Sequence, residues 1–95
     1  MAKKLDETQL AAAVSALPTW KIEHGELIRS VTFADFNEAI DFVNRVASLA
    51  EEVGHHPDID IRYNRVRLAL ITHDAGGITN SDINMSQKIE KELSK

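Results

Sequence analysis

The chain of 95 residues contains no cysteine. It therefore has no disulfide framework, no thiolate nucleophile and no cysteine-ligated zinc or iron–sulfur site. Basic residues are also in the minority, because 11 Lys and Arg stand against 15 Asp and Glu and leave a formal net charge of −4. A protein that follows nucleic-acid phosphates normally shows the opposite imbalance, so direct nucleic-acid binding is disfavoured.

Long apolar runs are missing as well. None approaches the roughly 20 residues that a membrane-spanning helix needs. The N-terminus passes from two lysines into acidic and polar residues, without the apolar region of a signal peptide. We therefore expect a cytoplasmic protein that does not contact membranes. The hydrophobic fraction of 43% and the charged fraction of 27% are ordinary globular proportions. With no repeat or linker, they predict one domain over residues 1–95.

Three segments carry the signals of a helix start. Each has a polar capping residue, a capping-box partner three residues later, and the flanking apolar residues of a hydrophobic staple. The caps and their partners are Asp6 with Gln9, Thr32 with Asp35, and Thr79 with Asp82. Helices are predicted over 7–16, 33–53 and 80–93. The second has two neighbouring apolar rows, and its broad apolar face can cover a sheet and also meet a partner subunit. It is equally compatible with a monomer that uses both rows to cover its own sheet.

Between the helices the apolar residues alternate with polar ones, which is typical of strands. The alternation predicts two hairpins with strands near 20–22, 27–32, 59–63 and 66–72 and with turns at His24-Gly25-Glu26 and Asn64. The order α-β-β-α-β-β-α indicates an α+β fold. In this fold three helices pack on one face of a four-stranded antiparallel sheet.

Three of the four histidines form one pattern, with His55 and His56 in the segment before Pro57 and with His73 at a predicted strand end. Histidine titrates near neutrality, so such a cluster suits proton transfer. Glu51 lies in the last turn of the second helix, where the helix dipole disfavours negative charge. Departures from local stability rules that concentrate at one place are typical of a functional site.

Simpler interpretations stand beside this one. Glu51 can be a solvated carboxylate at a helix end, and His55 and His56 can be loop residues bonded to carbonyls. His73 can close a strand, Asp82 can be only the capping partner of its helix, and Trp20 fits a core position. Metal ligation by Glu51 and the histidines is disfavoured, because Gly54 ends the helix before His55 and no His-Glu-x-x-His pattern is present.

The spacing Glu51-x-x-x-His55-His56-Pro57, followed by Tyr63, His73 and Asp82, resembles the signature of the pterin-4a-carbinolamine dehydratases. Seven defined positions across 32 residues match. The similarity also includes Trp20, the Phe33-x-Asp35-Phe36 segment and Asp82-Ile83, so it covers nearly the whole chain. It implies the same size and the same element order.

The resemblance implies loss of water from 4a-hydroxytetrahydropterin, which gives the quinonoid dihydropterin and recycles the cofactor of aromatic amino acid hydroxylases. The reaction needs an acid and a base, without a metal or redox cofactor. His55 and His73 would transfer protons, His56 would position or assist, and Glu51 would orient an imidazole. The implied pterin-binding residues are His55, His56, Pro57, Thr72, His73, Asp74, Ala75 and Asp82.

The resemblance also implies a homodimer or homotetramer, since relatives pair through their sheets and some assemble through the long second helix. Two alternatives remain open at this point. Some family members act as dimerisation cofactors of a transcription factor, and the same pocket could take another pterin such as molybdopterin. A binding module would not need three histidines and a glutamate, so their presence favours an enzyme.

Overall fold

The computed structural model describes residues 3–95. The predicted domain over 1–95 and the predicted N-terminus without a signal peptide both include Met1 and Ala2, which lie outside the described residues. The elements are α1 Glu7–Ser15, β1 Lys21–Glu23, β2 Glu26–Thr32, α2 Phe36–Val53, β3 Asp58–Arg62, β4 Arg65–Leu70 and α3 Asn80–Leu93, with a 3₁₀ turn at His73–Ala75 between β4 and α3. This order confirms the predicted α+β fold class.

The four strands form one antiparallel sheet in the order β1-β2-β4-β3. Tight turns set this pairing. His24 and Gly25 both adopt positive φ, 51° and 77°, as the two central residues of a primed hairpin turn require. Tyr63 also has a positive φ of 53° and begins the turn between β3 and β4. The two predicted hairpins are thus confirmed, with strand ends displaced by one or two residues.

The core lies between the sheet and the helices. Its largest fully buried side chains include Phe42 and Val46 from α2, Leu68 and Leu70 from β4, and Ile89 from α3. These side chains come from the apolar periodicity of the helices and from one face of the alternating strands. Trp20, at 3% exposure, belongs to this core as predicted. No helix among residues 3–95 is long and apolar enough to cross a membrane.

The cap predicted for α2 is wrong. The helix begins at Phe36, and Asp35 is its cap, since the Asp35 carboxylate accepts a 2.9 Å hydrogen bond from the Glu38 amide. Thr32 cannot cap the helix because it is the last residue of β2, where it pairs with Arg65. Sheet pairing therefore prevails over a favourable local capping pattern. The caps predicted at Asp6 and Thr79 are confirmed, and both form complete capping boxes.

A carboxylate on α3 ties the first hairpin to the helices. Glu90 Oε1 accepts hydrogen bonds from Arg29 Nε at 2.7 Å, from the Trp20 indole at 2.8 Å and from the Thr19 hydroxyl at 3.1 Å. Partial burial raises the pKa of the Glu90 carboxyl, but these three hydrogen bonds and the charge of Arg29 outweigh it. The pKa of Glu90 therefore lies below its ordinary value of 4.5.

Candidate functional site

The end of α2 sets the direction of both neighbouring histidines. Gly54 adopts the left-handed conformation, with φ 72° and ψ 27°, and its N–H donates to the Ala50 carbonyl at 2.8 Å. The chain leaves the helix at this point, and the two imidazoles that follow reach different partners. His55 contacts Asp82 on α3, and His56 contacts Glu51 on α2. Side chains of adjacent residues in an extended segment point to opposite sides, which agrees with this arrangement.

Asp82 is a buried carboxylate at the centre of the site, with 0% of its surface exposed. Its Oδ1 lies 2.5 Å from His55 Nε2. Its Oδ2 accepts hydrogen bonds from the Thr72 hydroxyl and from the Thr79 amide, both at 2.9 Å. A buried carboxylate needs such donors to offset the loss of water. Asp82 is thus both the capping-box partner of α3 and the residue that holds His55.

The chemistry of a carboxylate indicates which nitrogen of the His55 ring carries the hydrogen in this contact. An ionised carboxylate only accepts, so Nε2 of His55 carries a hydrogen when it donates to Asp82. In the neutral imidazole, Nδ1 then has the lone pair that can take a proton from a bound molecule. The pairing of a buried aspartate with a histidine resembles the arrangement that fixes the tautomer of a general base in hydrolases.

Two threonine hydroxyls extend this arrangement. The Thr72 hydroxyl donates to Asp82, so the Thr79 hydroxyl, 2.7 Å away, must donate to Thr72. Thr79 Oγ1 in turn accepts from the Ser81 amide at 3.2 Å. Among the described residues, no buried side-chain nitrogen or oxygen lacks a hydrogen-bond partner. The support of His55 is therefore a fully bonded set, which restricts its orientation.

The segment that carries His73 is anchored to the same carboxylate. Thr72 and Gly77 form an isolated antiparallel β-bridge, in which the Thr72 N–H donates to the Gly77 carbonyl at 3.0 Å. The 3₁₀ turn of His73–Ala75 lies between these two residues. His73 and Asp74 are exposed, and Ala75 is half-buried. The two segments predicted to bind the substrate, 55–57 and 72–75, therefore meet through Asp82. Within residues 3–95 the His73 imidazole has no hydrogen-bond partner.

The second pair of an imidazole and a carboxylate lies at the surface. His56 Nε2 is 2.5 Å from Glu51 Oε2, and the two side chains are 59% and 78% exposed. Such a solvated pair contributes little to stability. Glu51, which the family resemblance implies would orient an imidazole, thus contacts the imidazole of His56. Pro57 beside it is half-buried.

A cavity of about 220 Å³ adjoins His55. Its lining consists of Val53, His55, Ser81, Asn84, Met85 and Lys88. His56 and His73 do not line it, so this cavity gathers only part of the predicted site. The α3 residues were missed in the sequence. Their spacing of three and four places them on one helix face, but nothing in the sequence shows that this face meets His55.

Metal binding finds no support in the geometry of the described residues. No group of three or more histidine, aspartate or glutamate side chains within residues 3–95 is arranged to hold a metal ion. Two of the histidines instead each pair with one carboxylate, His55 with Asp82 and His56 with Glu51. Paired and orientable imidazoles can give and take protons, which is the chemistry that this arrangement offers.

Comparison with known proteins relates the chain to one protein family. The family model "Pterin 4 alpha carbinolamine dehydratase" matches residues 3–92. A protein of Acidobacterium capsulatum, provisionally named a pterin-4-alpha-carbinolamine dehydratase, is 60% identical over 77 residues, which cover 81% of this chain and 84% of that protein. One of Chloroflexus aurantiacus with the same provisional name is 51% identical over 88 residues, or 93% of this chain and 95% of the relative.

Two solved structures are similar to this chain. One is the crystal structure of a transcriptional coactivator/pterin dehydratase from Brucella melitensis, with 35% sequence identity and a TM-score of 0.89. The match covers 94% of this chain and 97% of the Brucella chain. A pterin dehydratase-like protein identified as a RuBisCO assembly factor in the alpha-carboxysome is 19% identical with a TM-score of 0.62, and covers 76% of this chain and 83% of its own. The second similarity concerns the fold alone.

Proposed function

Because the chain belongs to the pterin-4a-carbinolamine dehydratase family, we propose that it removes water from 4a-hydroxytetrahydropterin. The bond between C4a and the hydroxyl oxygen breaks while the proton on N5 departs, and the products are the quinonoid dihydropterin and water. One group must protonate the leaving hydroxyl and another must accept the N5 proton. Positioned side chains that transfer protons in this way typically accelerate a reaction by about 10²–10⁴-fold.

The observation that carries this proposal is the His55–Asp82 pair beside a cavity. The buried carboxylate fixes the His55 ring through Nε2 and leaves Nδ1 to exchange a proton. The cavity of about 220 Å³ gives a small heterocycle access to that ring. His73 is the second proton-transfer residue in this proposal. It follows Thr72, whose hydroxyl bonds the same Asp82.

The remaining residues act in binding and positioning. Glu51 orients His56, which assists at the rim of the site. We assign pterin contacts to His55, His56, Pro57, Thr72, His73, Asp74 and Ala75, and an indirect, supporting role to Asp82. Asp82 acts through His55 and Thr72, because it has no exposed surface. The proposed role in the cell is recycling of the pterin cofactor of aromatic amino acid hydroxylases, in the cytoplasm.

We propose further that the protein acts as a homo-oligomer. Phe36 and Val53 of α2 are 48% and 40% exposed, and Ile59 and Ile61 of the edge strand β3 are each 37% exposed. Large apolar side chains left in water at these positions favour a protein contact. Sedimentation measurements that give a monomer at micromolar concentrations would contradict this assignment.

The direct test is a stopped-flow assay of dehydration, with 4a-hydroxytetrahydropterin generated in situ. The protein should accelerate the reaction over its spontaneous rate. The double substitution His55→Ala/His73→Ala should abolish the acceleration without unfolding the chain. His24→Asn is the matched control, since it removes a histidine from the first hairpin turn, and asparagine tolerates the positive φ there. A folded protein without any acceleration would refute the proposal.

A protein-interaction function is the second candidate. The exposed Phe36 and Val53 on α2 favour it, as does similarity to a structure described as a transcriptional coactivator/pterin dehydratase. Substituting Phe36→Ser and measuring both partner capture and dehydration separates the two functions. Loss of an interaction with unchanged dehydration would assign the α2 surface to partner binding and the histidine site to catalysis.

A further inference from the structure

The face of the sheet that the helices leave uncovered carries a cluster of arginines. Val66 and Leu68 of β4 are buried toward the helices, so the strand alternation directs Arg65 and Arg67 to the opposite face. Arg62 of β3 pairs directly with Arg65. A cavity of about 320 Å³ lies here, and its polar lining consists of Ser30, Thr32, Asp60, Arg62, Arg65 and Arg67.

The charges in this cavity are not balanced. Among the described residues, Asp60 is the only acidic one that lines it, and the Asp60 carboxylate accepts a 3.0 Å hydrogen bond from Arg62 Nε. Although the register places Asp60 opposite Arg67, neither Arg65 nor Arg67 has a carboxylate within 4 Å in the described part of the chain. Two guanidinium groups therefore stay unpaired on a chain whose net charge is −4.

Sheet stability does not explain this arrangement. Like charges directly opposite each other on neighbouring strands are destabilising, and Arg62 and Arg65 occupy such a position. A local rule that is broken without a gain for the fold is typical of a binding position. The cavity also lies on the face of the sheet opposite to the core, so neither the His55–Asp82 pair nor the proposed dehydration uses it.

We propose that this arginine cavity binds the phosphoryl or pyrophosphoryl group of a small molecule. Guanidinium groups bind phosphate oxygens through two parallel hydrogen bonds, and Arg65 and Arg67 are free to do so. The hydroxyls of Ser30 and Thr32 are further donors at the same cavity. Its volume of about 320 Å³ falls at the small end of known ligand sites, which start near 300 Å³.

The concentration of charge favours a phosphate group over an acidic peptide. Three guanidinium groups and two hydroxyls line one cavity, which matches a ligand with several negative charges on adjacent atoms. An extended acidic peptide instead places the carboxylates of one face about 6.5–7 Å apart along its chain. It would therefore leave most of its charge outside a cavity of this size.

Isothermal titration calorimetry of the full chain with inorganic pyrophosphate, in a phosphate-free buffer of low ionic strength, tests the proposal. We expect saturable binding at one site per chain. Arg65→Gln and Arg67→Gln should each weaken the affinity about tenfold or more, as the loss of a charge-assisted bidentate contact implies. Arg67→Lys should give an intermediate affinity, because it keeps the charge and loses the planar fork. Arg45→Gln, which removes a half-exposed arginine from α2, is the matched control and should bind like the parent.

Three results would overturn the proposal. The first is no saturable binding of millimolar pyrophosphate by the folded protein. The second is undiminished affinity in both glutamine variants. The third is a glutamate-rich peptide that displaces pyrophosphate and binds more tightly, since the cavity would then be a docking surface for an acidic protein. If a variant fails to fold, amide NMR shifts of the parent chain during the titration decide the matter, because they must concentrate around Ser30, Asp60 and Arg67.

Discussion

Nε2 of His55 and Oδ1 of Asp82 lie 2.5 Å apart, and the carboxylate that holds the imidazole has no exposed surface. The same carboxylate completes the cap of α3 and binds the hydroxyl of Thr72. Asp82 therefore joins three segments that are distant in the sequence: the end of α2, the loop after β4 and the start of α3.

Asp82→Asn should lower dehydration strongly while the fold is kept. Thr72 and Thr79 both donate to Oδ2, so the amide oxygen will occupy that position and the amide nitrogen will face His55. His55 must then accept at Nε2, which places its proton on Nδ1, the wrong nitrogen for a base. We expect kcat to fall by about 10²–10⁴-fold. Stopped-flow rates and the thermal midpoint check this, and an unchanged kcat would contradict the assigned tautomer.

Thr72→Val should destabilise the chain and slow the reaction. It removes the hydroxyl that donates to Asp82 and also the acceptor of the Thr79 hydroxyl. Buried polar groups left without a partner typically cost about 1–3 kcal/mol in the free energy of unfolding. Thr72→Ser is the matched control, since it restores the hydroxyl. Denaturant unfolding and kcat should both recover in the serine variant. If valine and serine behave alike, the hydroxyl has no role.

His56→Ala should affect catalysis less than His55→Ala. The His56–Glu51 pair is mostly solvated, with side-chain exposures of 59% and 78%, so water can replace much of what it provides. We expect a loss of about tenfold or less from His56→Ala, below the 10²–10⁴-fold range typical of a positioned proton-transfer group. Glu51→Gln should give a loss of similar size, because it acts through the same imidazole. A larger loss from His56→Ala than from His55→Ala would reverse the assignment of the two rings.

Acid should destabilise the protein partly through Glu90. Its pKa is lower in the folded chain than the ordinary value of 4.5. A lowered folded pKa means that its stabilisation is complete above pH 4.5 and is lost as the pH falls toward the folded value. Glu90→Gln should therefore reduce stability at pH 7 by about 1.5–3 kcal/mol, the typical contribution of a hydrogen bond to a charged group.

Denaturant unfolding between pH 3 and pH 7 checks this prediction. The difference in stability between the parent chain and Glu90→Gln should shrink as the medium becomes acidic. Glu52→Gln, which neutralises an exposed carboxylate near the end of α2, is the control and should follow the parent. A constant difference at every pH would show that the ionisation of Glu90 is not involved.

Local patterns in the sequence predicted much of the fold, and their failure at Thr32 has a clear cause. The caps at Asp6 and Thr79 were predictable because capping acts within four residues. Thr32 satisfied the same pattern, yet it pairs with Arg65, which lies 33 positions away in the sequence. A pattern confined to neighbours cannot show competition from a distant strand. This is why α2 starts at Phe36.

The same limit applies to the site. The residue types and their spacing singled out His55, His56 and His73, and the family resemblance added Asp82. No local rule predicts that His55 meets Asp82 or that His56 meets Glu51. Lys88 and Asn84 were missed because their cavity exists only where α3 packs near the end of α2. Their polarity on an amphipathic helix is indistinguishable from that of an ordinary solvated face.

Hydrogen exchange of the Thr79 amide reports on the support of the His55 ring. Its hydrogen bond ends on the carboxylate that also holds His55, so this amide proton can exchange with solvent only when that part of the site opens. Fraying of the first turn of α3 that breaks this bond therefore also loosens the carboxylate that orients the imidazole. The exchange rate of this one amide therefore measures how often the support of the His55 ring is released.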